Sequence, residues 1–281
     1  MRKGKRRRVD AMRRGIYLLP NFLTSLSLFF GFYSLISTIN GMYYRGAVAI
    51  LIAGVLDGID GMVARATRTT SRFGLEYDSL SDLVAFGIAP GILAYLWALK
   101  PFGKWGWLAS FLFVACAALR LARFNVQVDT TEKKEFKGLP SPVAAGMIAT
   151  TTIIFYYLQW ESEPFRSFIV LFLAYFLALL MVSTIPYANI KEELALVKRR
   201  PFSVLLLSIV GIVLVVAETE ILFFTTLIVY TASGPIEGLI LSWRKKRKKS
   251  TQPGIKVVQE IKSIGQKSSE RSEGEKQGGI F

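Results

Sequence analysis

Histidine does not occur in this 281-residue chain, and cysteine occurs once, at Cys116. The first absence excludes histidine general bases, histidine metal ligands and phosphohistidine intermediates. Any catalysis therefore runs on carboxylates, cations and metals. The second excludes a disulfide within the chain. Cys116 stands in the apolar run FLFVACAAL, where a small buried hydrophobe is a better reading than a thiolate nucleophile. Acidic residues are also few, 20 against 35 Lys and Arg, for a net charge of +15. In a soluble protein that balance would point to nucleic acid. Here the basic residues flank apolar runs, so anionic lipid headgroups and topology signals explain them, and no nucleic-acid partner is expected.

Apolar residues dominate, at 52% of the chain with a mean hydropathy of +0.40. That is the composition of one membrane domain with polar ends. The runs predict an all-α, polytopic membrane helix bundle with helices at roughly 16–38, 43–65, 74–98, 105–124, 142–159, 166–187, 203–217 and 220–241. Pro90 is expected to break the hydrogen-bond ladder of the third and kink it. Residues 1–15 form a basic arm. The apolar segment after it is too long for a cleaved signal peptide and lacks a small-residue cleavage site. Residues 244–281 open on the cluster RKKRKK and turn rich in Gly, Ser, Lys and Glu. This tail is expected to be disordered, with its cluster on anionic lipid.

Against this background residues 57–82, DGIDGMVARATRTTSRFGLEYDSLSD, stand out. Asp57, Asp60, Asp78 and Asp82 lie inside or at the edge of apolar runs, where a carboxylate is expensive and marks a functional site by default. Asp57 and Asp60 are spaced i, i+3, and Asp78 and Asp82 i, i+4, so on helices each pair shares a face. The short basic turn from Arg65 to Arg72 makes the two helices antiparallel neighbours whose carboxylates converge. Converging carboxylates repel unless cations sit among them, and oxygen ligands without His or thiolate select Mg²⁺ or Mn²⁺. Gly61 and Ala64 lie on the Asp57 face and remove bulk where something large approaches the backbone. Arg65 ends that face, placed for a phosphate, and Gly74 opens the second helix one turn before Asp78. Spacing alone leaves two other readings open. One is a buried ion-pair network with Arg65, Arg68 and Arg72, which has no need of cleared bulk at Gly61 and Ala64. The other is a path for a transported divalent cation, which belongs near the bilayer midplane rather than at one face.

The pattern Asp57-x2-Asp60-Gly61-x2-Ala64-Arg65-x8-Gly74-x3-Asp78-x3-Asp82 resembles the signature of the CDP-alcohol phosphatidyltransferases at every fixed position. The resemblance covers roughly residues 16–190. It implies a six-helix catalytic core there, with the two helices of 203–241 added. It also implies two metal ions held by Asp57, Asp60, Asp78 and Asp82, a CDP-linked lipid donor, an alcohol acceptor and a homodimer. In that family the stretch Pro20-Asn21-Phe-Leu-Thr24 lies beside the nucleotide-diphosphate pocket. The diphosphate set implied is Asn21, Thr24, Asp60, Gly61, Ala64, Arg65 and Gly74. Asp82, outermost by the same analogy, would accept the acceptor's hydroxyl proton. The stretches RLARFN, from Arg120, and FKGLPSP, from Phe136, resemble the type II phosphatidylserine synthases within the family. They imply CDP-diacylglycerol and L-serine as substrates, with Arg120 and Arg123 as candidates to hold the serine carboxylate. Without the resemblance, Asn21 and Thr24 are interfacial polar residues and the arginines snorkel to the membrane surface. The aspartates alone do not separate serine from glycerol 3-phosphate or inositol.

Positive charge sets the orientation. All but four of the 35 Lys and Arg fall in the arm, the 65–74 turn, the 120–140 and 188–201 loops and the tail. The exceptions are Arg45, Lys100, Lys104 and Arg166. Both termini, and the aspartates with them, are therefore expected at the cytoplasmic face of the cell membrane.

Overall fold

The computed structural model describes residues 2–67, 71–128, 138–160, 163–185, 221 and 223–236, and over these the chain is helical, without a strand. The chain divides into Met1–Gly234 and Pro235–Phe281. Everything below concerns the first unit, apart from the last two residues of the final helix. The helices are α1 (Arg2–Ile39), α2 (Tyr43–Thr67), α3 (Arg72–Phe102), α4 (Lys104–Val128), α5 (Ser141–Tyr157), α6 (Glu163–Val182) and α7 (Phe223–Ile236). Five contain stretches long and apolar enough to cross a membrane: Pro20–Ile39, Tyr43–Thr67, Arg72–Phe102, Lys104–Val126 and Pro164–Val182. The molecule is a membrane helix bundle.

The shorter α5 is the buried one. Every residue from Ala144 to Phe155 is buried. Its Thr150, Thr151 and Thr152 hydroxyls each donate to the carbonyl one turn back, so three polar side chains enter the core already paired. Its Ile148 shares the core with Phe86, Leu93, Phe113 and Leu177 of other helices, all fully buried. α1 and α3 meet almost backbone to backbone: a Cβ added at Gly31 would lie 2.8 Å from Ala85 Cα.

Three departures from the sequence expectation have physical causes. α1 begins at Arg2 rather than at residue 16, because the basic arm is built mostly of good helix formers and continues the same helix. In α3, Pro90 is preceded by a π-helical turn, Leu83–Ile88, in which the Ala89 N–H reaches back to Val84 O. A second such turn, Tyr95–Leu99, precedes Pro101. A proline offers no N–H and crowds the carbonyl four residues back, and a widened turn relieves both faults. Finally, α6 stops at Val182 rather than near 187, just before Pro186. The incoming loop takes one carbonyl of its last turn and one just past its end: Leu139 N–H donates to Leu180 O at 3.0 Å, and Gly138 N–H to Ile185 O at 2.9 Å. Arg68, Phe136, the 188–202 connection, the 203–217 run and the 244–281 tail lie outside the described residues.

Candidate active site

The site forms where α2 ends and α3 begins. Ser71 caps α3, its Oγ accepting the Gly74 N–H at 3.0 Å, and so fixes where the helix starts. From that start Asp78 projects toward Asp57 and Asp60 in the last three turns of α2. One carboxylate oxygen from each of Asp57, Asp60 and Asp78 lies within 4.8 Å of the other two. Asp82 falls outside this trio, one turn deeper along α3. It adjoins Asp57, and its Oδ1 is buried without a partner.

α1 ties the two aspartate-bearing helices together through a polar edge. The Thr24 hydroxyl lies 2.8 Å from Asp60 Oδ2 and 3.0 Å from Pro20 O, sharing one proton between them. Ser81 of α3 donates to Thr24 O at 3.2 Å, Ser27 donates to Ala53 O of α2 at 3.0 Å, and Ser25 Oγ meets Tyr77 OH at 2.9 Å. The run TSLS in the apolar stretch of α1 was the available signal for Ser25 and Ser27.

Beside the carboxylates opens a cleft of about 210 Å³. Asn21, Thr24, Asp60, Gly61, Ala64, Arg65 and Gly74 all line it, joined by Pro20, Ser71, Leu75 and Asp78. The two glycines serve it differently. A Cβ at Gly74 would lie 3.1 Å from Ser71 Oγ and 3.4 Å from Asn21 Oδ1, so its absence lets α1 close on the start of α3. At Gly61 a Cβ would stand 3.4 Å from an Arg65 guanidinium nitrogen, so its absence lets Arg65 fold back along the helix. Arg65 and Arg72 are exposed, and among the described residues no salt bridge joins them to the four carboxylates.

The two candidate arginines part company. Arg120 is turned into the bundle, donating to Ser141 Oγ at 2.8 Å and standing in the field of Asp82. Arg123, one turn later, is half-buried away from that bond. Below it, Asn125 ties α4 to α3: Ser79 donates to its Oδ1 at 3.1 Å, and its Nδ2 donates to Glu76 Oε2 at 3.2 Å. Ser141 and Asn125 lay within stretches already singled out, but spacing alone assigned them no partner.

The donor set fits a hard divalent cation. It offers oxygens only, three of them within 4.8 Å of one another, with an unpartnered buried carboxylate oxygen adjoining.

A family model described as CDP-alcohol phosphatidyltransferase matches residues 17–185. The chain belongs to the CDP-alcohol phosphatidyltransferase family. It is 40% identical over 181 residues to a CDP-diacylglycerol–serine O-phosphatidyltransferase of Helicobacter pylori, covering 63% of this chain and 74% of that one. It is 38% identical over 174 residues to an archaetidylserine synthase of Methanothermobacter thermautotrophicus, covering 61% and 70%. With a CDP-diacylglycerol–serine O-phosphatidyltransferase of Mycobacterium tuberculosis it shares 36% over 170 residues, covering 56% and 58%. The family match takes in α1 from residue 17, α2 to α6 and every residue of the cleft, and stops before α7.

Proposed function

We propose that this chain transfers the phosphatidyl group of CDP-diacylglycerol to the hydroxyl of L-serine, forming phosphatidylserine and releasing CMP. One observation carries the reading: three carboxylates converge at a cleft that Asp60 and Asp78 line, and a fourth, Asp82, adjoins them in the field of the half-buried Arg120.

Asp57, Asp60 and Asp78, with Asp82 adjoining, would hold two divalent ions, Mg²⁺ or Mn²⁺, which when bound neutralise the diphosphate and stabilise the leaving phosphate. The rest is work for the chain's own groups. Asn21 and Thr24 present an amide and a hydroxyl from α1, and the capped N-terminal end of α3 adds its partial positive charge to the same cleft. Arg65 supplies a cation at the rim. Gly61 and Ala64 leave the wall bare enough for the diphosphate to approach. Arg120 holds the serine carboxylate; its bond to Ser141 occupies one of five donors and leaves the fork available. Serine's hydroxyl oxygen then bonds to the phosphorus next to the lipid, the bond from that phosphorus to CMP breaks, and Asp82 Oδ1 takes the hydroxyl proton. The ends of α2 and α4 and the starts of α3 and α5 gather these groups at one end of the bundle. By the distribution of Lys and Arg, that end faces the cytoplasm, with both termini and anionic lipid on the same side.

The test is direct. Purified protein in detergent with CDP-diacylglycerol and a divalent ion should release CMP and form phosphatidylserine only when serine is added. Equal or faster turnover with glycerol 3-phosphate or inositol would overturn the choice of acceptor.

A further inference from the structure

The opening segment of α3, Arg72–Asp82, turns three faces to three different surroundings. One face meets α1. A Cβ at Gly74 would lie 3.4 Å from Asn21 Oδ1, Tyr77 OH lies 2.9 Å from Ser25 Oγ, and Ser81 bonds Thr24 O at 3.2 Å. A second face carries Leu75 and Asp78 into the cleft, and Asp82 continues it one turn on. The third meets α4, where Glu76 and Ser79 both bond Asn125. At about 3.6 residues per turn, the carboxylate face lies between the other two. The aim of Asp78 and Asp82 thus depends on how α3 is rotated about its own axis, and that rotation is held from both flanks.

On the α4 flank the two bonds go to one carboxamide. Asn125 Nδ2 donates to Glu76 Oε2 at 3.2 Å. The Ser79 hydroxyl lies 3.1 Å from Asn125 Oδ1 and 3.1 Å from Leu75 O, its own helix's carbonyl one turn back. An ionised Glu76 only accepts, so it fixes which end of the amide faces it and turns the oxygen toward Ser79. Residues 76 and 79 stand one turn apart along α3, and Asn125 spans them. A group bonded at two points one turn apart resists both rolling and sliding of the helix.

We propose that Asn125 is a positioning residue for the metal-binding carboxylates, its carboxamide locking the rotation of α3 so that Asp78 and Asp82 meet Asp57 and Asp60. The inference rests on the reading of those carboxylates as ligands of a divalent ion, and it gives Asn125 no contact with either substrate. A site of this kind is sensitive to small rotations, because a misplacement of about 1 Å costs about 10²-fold in rate.

The experiment uses the full-length protein in detergent and reverses the polarity of the clamp. Asn125→Asp keeps the side chain's shape and an acceptor for Ser79, but sets a carboxylate against Glu76. It should weaken Mn²⁺ binding in the presence of CDP-diacylglycerol about tenfold, read from the EPR signal of the free ion, and lower kcat by a similar factor. KM for serine at saturating metal should be nearly unchanged. Glu76→Gln alone still accepts from Asn125 and should bind Mn²⁺ nearly as wild type does. Combined with Asn125→Asp it restores both bonds, the amide now on α3, and should recover most of the lost affinity. Asn125→Ala removes both bonds, and its loss should persist when Glu76→Gln is added; this uncharged variant makes the same test if the aspartate variant fails to fold. Wild-type Mn²⁺ affinity in both Asn125 variants overturns the inference and leaves the metal reading standing. A lower melting temperature with Mn²⁺ affinity intact overturns it too, by making the clamp a packing feature. So does a loss in Asn125→Asp that Glu76→Gln does not restore, or a rise in KM for serine with metal binding intact, which would move Asn125 to the acceptor. A wild-type protein that binds no Mn²⁺ overturns both readings.

Discussion

The Thr24 hydroxyl reaches Asp60 Oδ2 at 2.8 Å, while the carbonyl of the same residue accepts a bond from Ser81. One residue of α1 is thus bonded to both helices that carry the aspartates. Thr24→Val keeps the shape of the side chain and removes only the hydroxyl. Losing an outer partner of a metal-binding carboxylate typically costs about 10- to 100-fold in metal affinity or activity. We expect Mn²⁺-dependent CDP-diacylglycerol binding to weaken at least about tenfold, read by titrating the metal at fixed donor. Unchanged metal dependence would reduce Thr24 to a packing residue.

The carboxylate trio makes the sharper demand. Asp57→Asn or Asp78→Asn removes a charge from a set whose members approach within 4.8 Å. Each variant should insert and fold yet lose activity, and chelation of the wild-type protein should do the same reversibly. Normal turnover in excess EDTA would rule out a metal in the cleft.

Arg120 and Arg123 looked equivalent in sequence, three residues apart and both basic. The bundle separates them, because only Arg120 bonds Ser141 and faces Asp82. Arg120→Lys loses the bidentate fork and should raise KM for serine severalfold more than KM for CDP-diacylglycerol. Arg123→Lys should leave both within about twofold. An equal effect of Arg120→Lys on the two substrates would move this arginine to the phosphate end of the cleft.

That contrast marks how far the sequence could be read. The aspartates, the small residues on their face and the turn between α2 and α3 were legible because helical spacing and the cost of intramembrane charge both act locally. Helix identities were legible for the same reason. What escaped depends on contacts between distant segments. Nothing near Ser141 says that it receives a guanidinium 21 residues upstream, and nothing in RLARFN says that its asparagine bonds Glu76, 49 residues upstream. The π-helical turns escaped too. A proline announces that the ladder breaks, but neighbouring helices decide whether it kinks or widens.

Gly138 tests the link between the α6 end and the acceptor site. Its φ of 87° is in the left-handed region, and a Cβ there would lie 2.5 Å from Met181 O. Gly138→Ala therefore meets both backbone strain and a clash with a carbonyl that cannot swing away. We expect destabilisation of more than about 1 kcal/mol, seen as a lower melting temperature in detergent. Ser141 follows three residues later, so KM for serine should rise as well. A variant as stable as wild type would show that the loop can be rebuilt without cost.

Asp82 stands apart from its three neighbours in position, and the same should hold in function. It is outside the trio, and its Oδ1 is buried without a partner, an oxygen with a lone pair to spare. Serine's hydroxyl is a poor nucleophile at neutral pH, so removing its proton should matter in the chemical step, and a positioned base typically contributes about 10²- to 10⁴-fold. Asp82→Asn keeps the size and a hydrogen-bonding oxygen but cannot take that proton. It should bind Mg²⁺ or Mn²⁺ and CDP-diacylglycerol nearly as well as wild type, yet turn over at least about 100-fold more slowly. Asp57→Asn should instead weaken metal and donor binding together. Metal-dependent donor binding measured alongside kcat for both variants separates the two roles. If Asp82→Asn loses metal affinity as severely as Asp57→Asn, then Asp82 acts chiefly as a ligand and the proton goes to another group.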